Sequence, residues 1–283
     1  MQIEDVDKKS RDVIVTGASG FIGQHLIPLL ISNNYHVIAI SRNPNKASKF
    51  NWYKDVSFIK EDFHKENIQI KFAKGASLIH LAWQDLPNYT SSFHYEENLP
   101  ASYRFIKSMI DSGVSKVLIS GTCFEYGFQS GAISSSNSTN PQNAYALAKD
   151  SLRRQLELLS LERPFLLQWA RLFYMYGEGQ HPKSLLSQLD SAIDNNEKVF
   201  NMSRGEQLRD YLPVEDVAKQ IFDLFKSNKK GAYNICSGIP ISVRSIVEQR
   251  IKERRSKIKL NLGYYQYADY EPMAFWGIRD IDK

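Results

Sequence analysis

Val13-Ile14-Val15-Thr16-Gly17-Ala18-Ser19-Gly20-Phe21-Ile22-Gly23 is the stretch on which the reading of this chain turns. Four β-formers, Val13 to Thr16, run into a turn with three glycines, and an apolar segment at helical spacing, Phe21 to Ile31, follows. The pattern predicts a strand, a tight turn and a helix start. Such a turn gathers backbone N–H groups and the positive end of a helix at one place, where a diphosphate can sit. Gly17 allows the sharp turn, Gly20 lets the diphosphate come close, and Gly23 lets the helix pack on the strand. An ordinary strand-to-helix turn has the same pattern, so a dinucleotide reading depends on what the rest of the chain supplies.

Composition narrows the classes. A length of 283 residues with 42% hydrophobic content suits one large domain or two interlocked ones. The balance of 36 basic against 31 acidic residues suits a small anionic ligand. No basic block is interleaved with aromatics, so no nucleic-acid partner is expected. The cluster Lys252 to Lys259 carries Glu253 within it and reads as the solvated face and end of a helix. Cys123 and Cys236 form neither a metal spacing nor a disulfide framework, which fits a reducing compartment and no metal. The first ten residues are polar, unlike a signal peptide. The longest apolar run, Leu26 to Ile31, contains Pro28 and is too short to span a bilayer. A cytoplasmic protein without a membrane partner is expected.

A second β run, His36 to Ile40, ends at Ser41 and Arg42, where a dinucleotide fold meets the adenosine ribose. A carboxylate here would bond the ribose hydroxyls. Arg42 instead suits a 2′-phosphate and an adenine face. NADP(H) is therefore favoured over NAD(H), the other reading of Arg42 being a surface loop arginine. Further strands are predicted at Val56–Ile59, with Glu61-Asp62 at its end, and at Ser77–Trp83, Lys116–Ser120 and Phe165–Leu172. His80, inside an apolar strand, is assigned no chemistry. Helices are predicted over Tyr95–Ser112, closed by Gly113, and over Asn143–Glu162. Strands alternating with helices predict an α/β, Rossmann-type, doubly wound parallel sheet. Ligands of such sheets bind at the carboxyl ends of the strands, where Gly17, Arg42, Asp62, Ala82 and the loop from Gly121 meet.

Past residue 172 the pattern loosens. We expect a dinucleotide-binding domain over 11–172 and a mainly substrate-binding domain over 173–283, which can return strands or helices to the first. Helices are read at Ser184–Asn195, Val214–Ser227 and Val243–Arg255, and strands at Ala232–Cys236 and Lys257–Leu262. The Tyr-rich tail Gly263–Gly277 is too aromatic for a linker and should pack on the body. Ser134–Thr139 reads as a surface loop.

Tyr145-Ala146-Leu147-Ala148-Lys149 puts a phenol and an ammonium at i and i+4, on one helix face. A cation beside a tyrosine favours the phenolate and lowers its pKa. Such a tyrosine exchanges a proton with an oxygen next to a transferring hydride. The strand at Lys116 runs into Ser120-Gly121-Thr122, whose hydroxyl either orients a carbonyl for Tyr145 or bonds the turn backbone.

Taken in order, these pieces resemble the extended short-chain dehydrogenase/reductase family (NAD-dependent epimerase/dehydratase), whose members act on nucleotide sugars. The matching segments are Thr16–Gly23, Asp62, His80-Leu81-Ala82, Asn98, Ser120-Gly121-Thr122 with Glu125-Tyr126-Gly127, Tyr145 with Lys149, Arg171-Leu172-Phe173 with Tyr176-Gly177, Arg209 to Ala218, and Tyr233 to Gly238. The resemblance implies a catalytic set of Thr122, Tyr145 and Lys149. It implies cofactor contacts at Gly17, Ser19, Gly20, Phe21, Ile22, Gly23, Ser41, Arg42, Asp62, Leu81, Ala82, Tyr145 and Lys149. Arg209 matches the family arginine that clamps the nucleotide diphosphate. With Thr122 and Trp83 it makes up the expected substrate contacts.

Departures from the family narrow the chemistry. Dehydratases place an Asp-Glu pair directly after the catalytic Thr, whereas this chain has Cys123 and Phe124. Without that acid and base, elimination lacks its proton carriers. Tyr174 stands where the family usually has Asn. Trp83 either shapes a sugar site or caps the core. Length, Arg42, Glu125-Tyr126-Gly127 and the tail Ala274–Gly277 resemble bacterial reductases of 4-keto-6-deoxy sugar nucleotides that serve surface polysaccharide. The expected activity is NAD(P)H-dependent reduction of such a 4-keto group. A nucleotide-sugar 4-epimerase with tightly bound NAD is the enzyme alternative, and a non-catalytic NADP(H)-sensing module the other. A homodimer through the helices near Tyr95 and Tyr145 is implied by the family.

Overall fold

A computed structural model describes residues 10–66, 68–267 and 272–279. The first strand, β1 (Asp12–Thr16), leads through the glycine turn into α1 (Gly23–Ser32). Then come β2 (His36–Ser41), a single turn α2 (Pro44–Ala47), β3 (Ser57–Lys60) and β4 (Ser77–His80). The next elements are α3 (Leu99–Asp111), β5 (Lys116–Thr122), β6 (Gly131–Ile133), α4 (Ala144–Glu162) and β7 (Leu166–Leu172). The remainder supplies β8 (Tyr174–Tyr176), α5 (Leu185–Asp194), β9 (Val199–Met202), β10 (Leu208–Pro213), α6 (Val214–Lys226), β11 (Gly231–Ile235), β12 (Pro240–Ser242), α7 (Val243–Glu253), β13 (Lys259–Leu262) and β14 (Ala274–Gly277).

Seven strands form one parallel sheet in the order β11-β7-β5-β4-β1-β2-β3. Its central strands are buried on both faces, which is why they read as unbroken apolar runs rather than alternating ones. One face is covered by α1 and α6 through Leu26, Leu30, Ile221 and Phe225. The other is covered by α3 and α4 through Phe105, Ile106, Leu152 and Leu156. This is the doubly wound, Rossmann-type arrangement that the alternation predicts. The chain leaves β1 toward β2 and β3, then returns to β4 on the opposite side of β1. That switch point opens a crevice at the carboxyl ends of the strands.

The part beyond residue 172 both leaves this sheet and rejoins it. β11 pairs with β7, Ile235 opposite Leu172, and α6 packs on α1. A second sheet runs β12-β10-β14-β6, with β8 also paired to β10. Beside it, α5, α7, β9 and β13 enclose a smaller core around Leu189, Phe200 and Val247.

The structure revises several sequence boundaries. Helix α3 does not begin as an ordinary α-helix at Tyr95. It is entered by a wide turn of the π type over His94–Asn98, in which the Leu99 N–H donates to the His94 carbonyl five residues back. Pro100 sits just inside the helix and has no N–H, so a regular i to i−4 ladder cannot run through this point. The strand read at Ser77–Trp83 stops at His80. Of the aromatic tail, residues 268–271 lie outside the described residues. Tyr264 and Tyr265 are exposed, while Phe275 is buried and β14 is sewn between β6 and β10.

Candidate active site

The crevice at the switch point is a cleft of about 1040 Å³. Its floor is set where the β1 turn meets the end of β4. The Ala82 N–H donates to Thr16 Oγ1 at 3.3 Å and the Leu81 N–H to the Thr16 carbonyl at 3.3 Å. Gly17 has φ +69°, and a Cβ there would come within 2.8 Å of Ala82 N. A Cβ on Gly23 would run into the carbonyl oxygens of Gly17 and Ala18. The turn therefore accepts no side chain at either place, and its backbone forms a bare cradle at the start of α1 fit for a diphosphate. Ser19 Oγ and Ser41 Oγ are 2.6 Å apart, linking this turn to the end of β2.

Of the residues expected from the sequence, Gly17, Ser19, Gly20, Phe21, Ile22, Gly23, Ser41, Arg42, Leu81, Ala82, Trp83, Thr122, Tyr145 and Lys149 all line this one cleft. Asp62 does not line it but stands beside Arg42, Oδ2 lying 3.9 Å from Arg42 Nη1. Burial pushes Asp62 up, but the backbone and ring N–H groups of His64 outweigh it and hold the carboxyl below its ordinary value. Arg209 is not on the cleft wall. It is 3% exposed, donates to the Leu208 carbonyl, and has its guanidinium carbon 5.7 Å from the centre of the cleft-lining Tyr174 ring.

The reactive end is built by β5, the loop after β4 and the first turn of α4. Asn143 caps α4 by accepting the Ala146 N–H, and the Tyr145 N–H donates to the Tyr89 carbonyl, which straps the β4 loop to the helix. Thr122 caps the short turn Cys123–Tyr126: its Oγ1 accepts the Phe124 N–H, and Glu125 reaches back to accept the Thr122 N–H at 2.9 Å. Glu125 is fully buried and also accepts from Trp169 Nε1 and Arg171 Nε.

Lys149 is 1% exposed. Its Nζ donates to the Ser120 carbonyl at 2.8 Å and lies 3.9 Å from the Trp83 ring centre and 6.0 Å from that of Tyr145. Burial pushes the ammonium down to about 7. Burial likewise pushes the Tyr145 phenol up, with Tyr89, Glu125 and Cys123 adding to the rise and a hydrogen bond from Thr122 opposing it. The i, i+4 spacing led to the expectation of a phenol lowered by its lysine. In this geometry burial raises the phenol instead, and it holds its proton across the physiological range. His80 is sealed between Thr16 and Ser102 and pushed by burial to about 3, a neutral structural ring.

Several cleft residues were not singled out beforehand. Lys46, four residues after Arg42 and inside α2, lines the cleft as well, a spacing visible in the sequence. Tyr89, Phe124, Tyr174 and Tyr211 line the cleft as a chain of abutting rings, with centres 5.2 to 6.2 Å apart. His181 and Lys183 line the far end, ahead of α5. Their convergence comes from pairing between distant elements, for which the sequence carries no local signal. Among the described residues no group of three His, Cys, Asp or Glu stands close enough to hold a metal ion, and no helix is long and apolar enough to cross a membrane.

Residues 13–236 match the model of the NAD dependent epimerase/dehydratase family. The chain is similar to the dTDP-6-deoxy-L-talose 4-dehydrogenase (NAD(+)) of Aggregatibacter actinomycetemcomitans, with 30% identity over 274 residues, covering 95% of this chain and 100% of that one. It is also similar to the dTDP-4-dehydro-6-deoxyglucose reductase of Escherichia coli, 24% identical over 86% of this chain and 82% of that one. Among solved structures, the UDP-N-acetylglucosamine 4-epimerase of Methanobrevibacter ruminantium M1, in complex with UDP-N-acetylmuramic acid, superposes with a TM-score of 0.83 at 24% identity, over 95% of this chain and 90% of that one.

Proposed function

This chain belongs to the NAD dependent epimerase/dehydratase family and is an NAD(P)-dependent oxidoreductase of nucleotide sugars; from that premise we propose that it reduces the 4-keto group of a nucleotide-linked 4-keto-6-deoxy sugar, a step in making deoxysugars for surface polysaccharide. The observation that carries the reading is the surroundings of Thr122 and Tyr145. Directly after Thr122 come Cys123 and Phe124, which bring no carboxyl pair for elimination, and Phe124 joins an aromatic wall with Tyr89, Tyr174 and Tyr211. The faces of these rings offer an apolar surface to the methyl group of a 6-deoxy sugar.

NADPH, when bound, supplies the hydride that reaches C4. The Gly17 to Gly23 turn holds the diphosphate. Ser41 and Arg42 hold the 2′-phosphate, Asp62 the adenine, and Leu81 and Ala82 the path between the two halves of the cofactor. Lys149 fixes the nicotinamide ribose. Trp83 and Thr122 contact the sugar nucleotide, most of whose site is supplied by residues 173–283, and Arg209 backs the cleft-lining Tyr174. Tyr145, kept protonated by burial, gives its proton to the alkoxide forming at C4. Thr122 Oγ1 already accepts the Phe124 N–H, so its own proton is left for the phenol or the carbonyl oxygen. The protein works in the cytoplasm as a homodimer; Leu147, Leu158 and Leu161 are exposed apolar side chains on α4 that a second copy would cover.

The test is a cofactor-consumption assay with NADPH and NADH in parallel and a dTDP-4-keto-6-deoxyhexose as substrate. Stoichiometric loss of nicotinamide absorbance, faster with NADPH, supports the reading. Interconversion of C4 epimers without added cofactor would make the protein an epimerase. Cofactor binding with no turnover on any keto-sugar would favour a sensing module.

A further inference from the structure

Trp83 lies at the junction of the β4 loop and α4, and its indole is fixed at both its edge and its face. At the edge, Nε1–H donates to His94 Nδ1 at 3.1 Å. His94 in turn donates from Nε2 to the Asn88 carbonyl at 2.8 Å, a bond that assigns the tautomer with Nδ1 as acceptor. The wide turn His94–Asn98 brings His94 under the cleft, and Asn98 Nδ2 reaches the same Nδ1 at 3.3 Å. At the face, Lys149 Nζ lies 3.9 Å from the ring centre. An ammonium has three donors and almost no water here. Among the described contacts its oxygen acceptor is the Ser120 carbonyl. The negative face of the indole is its next electron-rich partner.

We propose that Trp83 is a positioning residue for Lys149: its π face, aimed by the neutral ring of His94, holds the buried lysine in place and in its charged form. The groups facing Lys149 are Glu125 from the turn after β5, which favours the ammonium, His80 at the end of β4, His94 before α3, and Tyr145 on α4 itself. Both histidines are pushed down by burial, so neither adds a competing charge near neutral pH. Glu125 is the one full opposite charge among these groups, and it is already engaged by Arg171 and Trp169. The catalytic consequence of this placement rests on the reductase reading, whereas the placement itself does not.

The test has two arms. In the first, tryptophan emission of the cofactor-free protein is followed from about pH 5 to pH 9, a range that spans the titration of a buried lysine. A transition in the wild type that disappears in both Lys149→Met and Trp83→Phe supports the proposal. A transition that persists in Lys149→Met, or none in the wild type, overturns it. In the second arm, the alkaline limb of turnover is compared among the wild type, Trp83→Phe and Trp83→Leu. Loss of the π face in Trp83→Leu should move the limb down by about one pH unit, with Trp83→Phe shifted less. A limb that stays put while only kcat falls would mean that Trp83 is ordinary packing. If no keto-sugar is turned over at all, the reductase reading fails, and the emission arm still decides the role of Trp83.

Discussion

Arg171 Nε donates to Glu125 Oε2 at 2.7 Å, in an ion pair whose side chains are 3% and 0% exposed. Through the same carboxylate the pair reaches the backbone N–H of Thr122 and the indole N–H of Trp169, so the end of β5 is pinned to β7 by charge as well as by the sheet ladder. Removing one partner of a sealed pair leaves the other charge buried alone. Arg171→Met should therefore lower stability by about 3–5 kcal/mol. Urea unfolding monitored by circular dichroism measures this, and a loss under about 1 kcal/mol would show that the pair does not hold the strand end.

Tyr145→Phe keeps the ring that packs between Tyr89 and Trp83 and removes only the hydroxyl. NADPH affinity should stay within a few-fold, while turnover of the keto-sugar falls by about a hundredfold or more, the usual worth of a positioned acid. Equilibrium binding and initial rates separate the two quantities. Undiminished turnover would remove Tyr145 from the mechanism.

Lys149 links stability to pH. Its ordinary value of 10.5 is lowered by burial to about 7, so the unfolded chain holds this proton more tightly than the folded one. The contribution of this group to stability is present above pH 10.5 and is lost as the pH falls to 7. Lys149→Met should thus be more thermostable than the wild type at pH 6 to 7, by roughly 2–4 °C for each kcal/mol regained, and the gap should narrow toward pH 10. Calorimetry across this range is the check. A gap that does not change with pH would mean that the lysine does not titrate there.

Arg42 is 58% exposed and loosely paired with Asp62. Arg42→Ala should raise the KM for NADPH by about tenfold, the worth of roughly one charge-assisted bond, and leave the KM for NADH nearly unchanged. Parallel titrations with the two cofactors measure it. An equal effect on both would show that Arg42 contacts adenine rather than a 2′-phosphate.

The central sheet was legible because its strands are sheathed on both faces and carry runs such as Val13–Thr16 and Val37–Ile40. The cradle was legible too, since glycine at 17 and 23 follows from backbone geometry that a Cβ would block. The short strands β6, β8, β9, β10, β12 and β14 were not. Leu208–Pro213 contains Arg209 and Asp210, and it is a strand because four neighbouring segments pair with it or bond its side chains. Asp210 accepts the N–H groups of Ser237, Gly238 and Gly277, a role set by residues far away in sequence. The charge state of Tyr145 was not legible for a related reason. Spacing along one helix shows that two groups are neighbours, whereas burial by Trp83, Tyr89 and β5 decides which charge state each prefers.

The place of β11 bears on how this chain is made. The main sheet is complete only when Gly231–Ile235 lies beside β7, some sixty residues after β7 itself. On the ribosome, β7 stays an open edge with unpaired N–H and C=O groups while β8 to α6 are being synthesised. Asn234 then closes the edge, accepting from Tyr126 Oη at 2.6 Å and donating to the Ile133 carbonyl at 2.8 Å. A nascent chain stalled before that strand, or a fragment cut at Leu172, would present a sticky template for self-association. Through Asn234 the late strand β11 thus also ties the main sheet to β6 of the second sheet.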